Sequence, residues 1–153
     1  ALILQGPKRI RMELPQEGPP QIISLSSTGN ISVTLNERIV RMTDDCSALS
    51  EDFKIFAQRL EVELPKEETQ DPRIRAQGNI RIFRKKEGVA LFGNQMESAG
   101  QDIVVRGWPH ATLIQNSIRA TMAQIRLDPD KETLEGFRGK KKIQLRILGE
   151  ANP

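Results

Sequence analysis

His and Cys, the side chains most often used for nucleophile–base chemistry near neutral pH, occur once each, as His110 and Cys46, and tyrosine is absent. A zinc site of the usual kind takes three or four Cys, His or carboxylate ligands, so one His and one Cys cannot make a Cys/His site. No catalytic-cysteine signature surrounds Cys46. A free cysteine is among the most often buried residues, so Cys46 reads as a core thiol. One cysteine cannot form an intramolecular disulfide, which leaves cytosol and periplasm both open. Asp128-Pro129-Asp130 offers carboxylates to a cation, but calcium takes six or more oxygens and no EF-hand spacing follows, so a turn is expected. Glu61 and Glu63 alternate with apolar residues. They should point to solvent from one face, which is not the arrangement of an acid/base pair. Gly136 to Gly139 followed by Lys140-Lys141-Lys142 is only superficially like a phosphate loop, because the full spacing and the helix after it are missing. The expectation is a protein with no enzymatic activity and no cofactor or metal.

The charge balance is modest: 23 basic against 20 acidic residues, net +3, with six aromatic residues in all. Binders of nucleic acid concentrate basic charge on one face or interleave it with stacking aromatics, so no nucleic-acid partner is expected. The basic runs Arg84-Lys85-Lys86 and Lys140-Lys141-Lys142 each lie near a glycine, Gly88 or Gly139. They read as solvated hairpin tips, or more sharply as a phosphate-contacting rim.

The elements that must carry these residues are strands. In 153 residues, Ile, Val and Thr supply 29 positions and Ala only 10, while Leu, Ile, Val and Phe together supply 41. That is enough apolar material for one folded domain over residues 1–153, and its β-branched bias favours pleated sheet. No purely apolar run is longer than Ala1 to Leu4, far short of the roughly 20 residues of a membrane helix. Residues 74–82 alternate cleanly, with Ile74, Ala76, Gly78, Ile80 and Ile82 on one face and Arg75, Gln77, Asn79 and Arg81 on the other. The same period appears at 10–14, 31–35, 103–105 and 143–147. Breakers separate the runs: Pro15 to Pro20, Gly29-Asn30, Asp44-Asp45, Pro65 to Pro72, Gly88, Gly93-Asn94, Gly100, Asp128 to Asp130 and Gly136 to Gly139.

Two stretches also fit a helical stripe: Leu49-Phe53-Phe56-Leu60 and Ile114-Ile118-Met122-Ile125. Both fit alternation with one slip, as a β-bulge produces. They look like copies of each other, with Ile55-x-Ala57 then Leu60-x-Val62 in one, and Ile118-x-Ala120 then Ile125-x-Leu127 in the other. A shorter cue repeats Gly29-Asn30-Ile31-x-Val33 at Gly78-Asn79-Ile80-x-Ile82. A weak repeat of β units favours strands in both stretches. The predicted fold is all-β, an open, twisted antiparallel β-jelly roll of at least ten short stacked strands, with no helix longer than two turns.

The segment Ile74-x-Ala76-x-Gly78-Asn79-Ile80-x-Ile82 resembles the signature strand of the OstA-like, LptA-type family of periplasmic lipopolysaccharide-transport proteins. Ile118-Arg119-Ala120 with Ile125-Arg126-Leu127-Asp128 is similar to that family's following element. Val104-Val105-Arg106-Gly107-Trp108-Pro109 resembles the step between them. The likeness is strongest over 27–147. Residues 1–26 show none, and Glu37 to Glu51 departs from the pattern. The resemblance implies an apolar interior that receives acyl chains, and head-to-tail joining of such domains into a bridge across the periplasm.

The residues can meet that expectation. A lipid carrier needs a continuous apolar trough, and Ile80, Ile82, Val89, Leu91, Ile103, Val105, Leu113, Ile118, Ile125, Leu127, Ile143 and Leu145 are the candidates to line it. Each buried CH₂ contributes roughly 0.8 kcal/mol, so acyl chains can bind without specific polar contacts. The same residues would equally fill a closed core. Trp108, expected in a turn, would sit at the trough's mouth or plug the end of the core. The expected partners are lipopolysaccharide or a related lipid, other β-jelly-roll transport proteins through edge-strand pairing, and further copies of the chain head to tail. The edge strands are expected at Arg9 to Leu14 and Lys142 to Leu148. The expected location is periplasmic, with any export signal already removed. A jelly-roll module that binds a protein and no lipid is the rival reading. A sugar-binding jelly roll is disfavoured because one Trp and no Tyr leave few stacking platforms.

Overall fold

A computed structural model describes residues 2–4, 8–14, 21–66, 72–99, 102–128, 133–138 and 141–146. At 2–4, 8, 14, 133–138 and 141–146 it describes the backbone alone. The described residues contain no helix. They form twelve strands: β1 (Leu2–Leu4), β2 (Lys8–Leu14), β3 (Gln21–Ser27), β4 (Ile31–Thr34), β5 (Ile39–Leu49), β6 (Phe53–Glu63), β7 (Arg73–Arg84), β8 (Val89–Ala99), β9 (Asp102–Gln115), β10 (Ile118–Asp128), β11 (Thr133–Arg138) and β12 (Lys141–Arg146). The fold is therefore all-β, as the alternation and β-branched bias predict. Every pairing is antiparallel, and from β4 to β12 the strands run in sequence order through one open sheet. β1 pairs with β4. β3 pairs with both β2 and the second part of β5.

The strands are longer than the breakers suggest, because several breakers lie inside them. Asp44-Asp45 falls within β5, Gly93-Asn94 within β8, Gly107-Trp108-Pro109 within β9 and Gly136 within β11. These are corrections to the turns expected there. At all but Gly136 the pairing register slips: between Thr43 and Cys46, and between Phe92 and Gln95 opposite Arg106 and Thr112. β6 and β7 slip between Phe56 and Arg59 and between Gln77 and Ile80. β10 slips between Met122 and Gln124. The slips line up into one crease across the sheet. Bulges bend strands and raise their twist, and a row of them bends a whole sheet.

The residues at the crease suit it. Asp44, Asp45 and Asn79 have φ of 66°, 46° and 51°, and Gly78 has 81°. Asn, Asp and Gly are the residues that enter the left-handed region at least cost. A Cβ on Gly107 would lie 2.2 Å from the His110 carbonyl oxygen, so that close approach requires glycine. Side chains replace part of the interrupted ladder: Asn94 Oδ1 accepts from Trp108 N–H at 2.7 Å. Ser27 Oγ donates to the Asp44 carbonyl at 3.1 Å.

The crease divides the sheet into an upper half (39–43, 59–63, 73–77, 95–99, 102–106, 124–128) and a lower half (46–49, 53–56, 80–84, 89–92, 111–115, 118–122). One face is buried in both halves. Upper-half Met42, Leu60, Val62, Met96, Val105 and Leu127 are 0–2% exposed. So are lower-half Ala48, Ile55, Ile82, Leu91 and Leu113. All belong to one cluster. With no helix to cover a sheet face, burial this complete requires the sheet to double over at the crease, each half covering the other's inner face. The two repeats fall into place here. Ile55-x-Ala57 and Ile118-x-Ala120 lie below the crease, and Leu60-x-Val62 and Ile125-x-Leu127 above it, on strands that run the same way. Gly29-Asn30 and Gly78-Asn79 both mark a crossing.

Candidate functional site

The interior collects most of the predicted lipid-facing residues. Ile80, Ile82, Val89, Leu91, Ile103, Val105, Leu113, Ile125 and Leu127 are each 3% exposed or less and pack in one cluster. Ile143 and Leu145 lie in β12, paired with Gly136 and Leu134, and their side chains are outside the described residues. Trp108 is not in a turn. It stands 67% exposed on the bulge of β9, where the chain inserts Gly107 to His110 between the register positions of Arg106 and Ala111.

Ile118 departs most from expectation, at 55% exposed. Its register explains this. Ile118, Ala120 and Met122 pair with Gln115, Leu113 and Ala111, and so share the face that Leu113 and Ala111 bury. They point inward, but no described strand pairs alongside them. β11 pairs only with Gln124 to Asp128, above the crease. Among the described residues no strand lies beyond Ile118 to Met122. The inner face is uncovered at this corner, and Met122, partly buried, marks where the core begins.

The polar end of the interior is unlike the rest. Arg84 follows Ile80 and Ile82 along the inner face of β7 and is 7% exposed, so it is not part of the solvated tip expected for Arg84-Lys85-Lys86. Its guanidinium donates to Glu87 Oε1 at 3.0 Å, and Glu87 is 8% exposed. Gln115 Nε2 donates to the Glu87 backbone carbonyl at 2.9 Å. Lys85 and Lys86 remain exposed at the turn. Sequence periodicity does carry this signal: Arg84 occupies an apolar position of the alternation, with a carboxylate three residues on.

Cys46 is 1% exposed, and its thiol donates to the Gln58 carbonyl at 3.4 Å; His110 is exposed on the β9 bulge. Burial pushes the thiol's pKa up. The carboxylates of Asp44 and Asp45 add to this, against hydrogen bonds involving Ser27 and Leu60. The folded thiol therefore holds its proton at pH values where the unfolded one, near an ordinary pKa of about 8.5, has lost it. The stability this contributes is present below that value and lost as pH rises from it through the raised folded value. Native protein is expected to resist thiol reagents that label it at once in denaturant. Urea midpoints should fall between about pH 7 and 10, and less so for Cys46→Ala. Timed labelling and urea titrations check both.

Glu61 faces out and meets Arg41 at 3.0 Å, with Glu63 on the same face, as alternation predicts. Among the described residues, no group of three His, Cys, Asp or Glu side chains is placed to hold a metal ion. Asp128 ends β10, and residues 129–132, where the acidic turn was expected, lie outside the described residues. No protein-family model matches the chain, and no curated protein matches it.

Proposed function

We propose that the domain is a non-enzymatic carrier or scaffold for lipopolysaccharide-type amphiphiles outside the cytoplasm, joining end to end with similar β-jelly-roll domains. The observation that carries this reading is the uncovered inner face at Ile118, Ala120 and Met122. An acyl chain entering there meets aliphatic side chains at once and continues toward Leu113 and Leu91 without crossing a charge. The end-to-end part rests on the sheet's open edges. β2 and β12 each have one neighbouring strand among the described residues, and both suit strand addition.

The test is binding of a fluorescent lipid A-type probe, with native mass spectrometry of lipids that copurify. Wild type should bind saturably. Ile118→Asp should abolish binding while keeping the wild-type urea midpoint, since position 118 is already solvated. A second reading, a protein-binding module without lipid, is favoured by the tight burial of the nine interior residues. Absence of saturable binding in wild type would select it.

A further inference from the structure

The two outer faces of the folded sheet differ in charge order. On the upper half, cross-strand neighbours alternate in sign: Arg41, Glu61, Arg75 and Glu97 follow one another across β5 to β8. Arg41–Glu61 at 3.0 Å and Arg126–Asp102 at 2.8 Å are formed ion pairs on this half. Most of that face neutralises itself; Arg59 and Arg106, in its row nearest the crease, lie opposite Thr43, Gln77, Gln95 and Gln124.

The lower half does not. Its outer row nearest the crease runs through Arg9, Ser26, Ser47, Phe56, Arg81 and Phe92. The next row runs through Arg11, Leu49, Lys54, Phe83, Ile114 and Arg119. Five cations and no carboxylate occupy these two rows, and all five cations are exposed. The nearest acids are Glu13, opposite Ile22 one row further out, Glu51 and Asp52 in the β5–β6 turn, and Asp44 and Asp45 in the β5 bulge beside Ser47. Between the cations lie apolar side chains that a sheet surface usually lacks: Phe83 is 39% exposed and Leu49 37%, with Ile22 at 36% one row further out.

We propose that this lower outer face docks onto the surface of an anionic lipid bilayer. Interfacial binding takes apolar area plus attraction to anionic headgroups, and the two rows present both on one plane. The ring geometry argues against a nucleic-acid strand. Arg81 lies over the Phe56 ring at 5.0 Å, and Phe83 meets Phe56 and Phe92 edge-on, at 74° and 90°. Base stacking needs open, parallel ring faces. Here a guanidinium lies over one ring and the rings meet edge to face. This face is on the opposite side of the sheet from the interior, so the inference does not depend on the carrier reading.

The experiment is cosedimentation of the full chain with vesicles of phosphatidylcholine mixed with phosphatidylglycerol, and of phosphatidylcholine alone. Wild type should bind the mixed vesicles and not the neutral ones, more weakly as salt rises. Each cation near the surface contributes roughly a fivefold factor, so Lys54→Gln/Arg81→Gln/Arg119→Gln should bind roughly a hundredfold more weakly. Arg59→Gln/Arg73→Gln/Arg75→Gln, an equal charge change on the upper half, should stay within a few-fold of wild type. Phe83→Ser should weaken binding at every salt concentration. Equal losses in the two triple variants would overturn the proposal in favour of net charge alone. Absence of binding to the mixed vesicles, or tighter binding to a single-stranded oligonucleotide than to them, would overturn it outright. All the substitutions are at exposed positions, and matching urea midpoints confirm that the variants compared are folded.

Discussion

Ile82→Asp is expected to abolish the folded state at neutral pH. Ile82 is 0% exposed and lies between Ile55 and Leu91 on the inner face, themselves 2% and 0% exposed. The substitution removes an aliphatic side chain from the core, which alone costs about 2–5 kcal/mol when truncated to Ala. It also puts a carboxyl group among aliphatic side chains, where Arg84, two residues on along the same face, is already paired with Glu87. A group in that position stays protonated, so its folded pKa rises well above the ordinary value of about 3.9. The penalty is therefore smallest below that value and grows as pH rises through it. The combined cost is comparable to the whole stability of a domain, about 5–15 kcal/mol. Circular dichroism should show no cooperative urea transition for Ile82→Asp near pH 7, while Ile82→Val loses only about 1 kcal/mol. The contrast with Ile118→Asp is the useful one. Both positions lie on the inner face, yet only the buried one should govern folding, so only the exposed one can report on a ligand.

That contrast also shows what the sequence made legible. Alternation assigns the inner face correctly in β7, where Ile74, Ala76, Ile80 and Ile82 are all buried. It assigns Ile118 to the same face, also correctly by register. Alternation cannot say whether a second layer lies over a residue, because covering depends on where β11 stops pairing, a long-range property. The slip in the Ile55-x-Ala57/Leu60-x-Val62 pattern is visible in one strand as a helix–strand ambiguity. Its meaning as a crease emerges only when the five pairings from β5 to β10 slip in line. The acids at 44–45 and the glycines at 93 and 107 looked like loop punctuation because bulges, like turns, use left-handed backbone, as at 44–45, and close approach, as at 93 and 107. The outer-face cations were legible singly, as Arg9-x-Arg11 or Arg81-x-Phe83. Their gathering on one half depends on registers across eight strands.

Glu87→Ala is expected to be the most damaging substitution at a polar position, costing about 3–5 kcal/mol. Arg84 and Glu87 are 7% and 8% exposed, and their 3.0 Å contact sits at the end of an otherwise aliphatic inner face. Arg84 lies opposite Phe53 and Val89 on the neighbouring strands. A guanidinium cannot neutralise itself by losing a proton, so removing the Glu87 carboxylate takes a counter-charge from a group largely withdrawn from water. The turn itself should survive, because Gln115 donates to the Glu87 backbone carbonyl, which alanine retains. The loss should therefore appear in the midpoint of urea unfolding, with its slope unchanged. The pair as a whole is a different matter. Two charges brought out of water recover their desolvation only with full hydrogen bonding, and Glu87 Oε2 finds no hydrogen-bond partner among the described residues. Arg84→Met with Glu87→Leu should thus be neutral, or more stable than wild type by about 1–4 kcal/mol. A double-mutant cycle over Arg84→Met, Glu87→Leu and the combination measures the coupling directly. If Glu87→Leu and the double variant are equally destabilised, the guanidinium is not what makes the loss of Glu87 costly. If the single variant falls by several kcal/mol and the double variant recovers, the ion pair is a constraint the fold carries for a reason other than stability. The inner-face end at Arg84 would then be the next place to look for a polar group of a ligand held along the aliphatic interior.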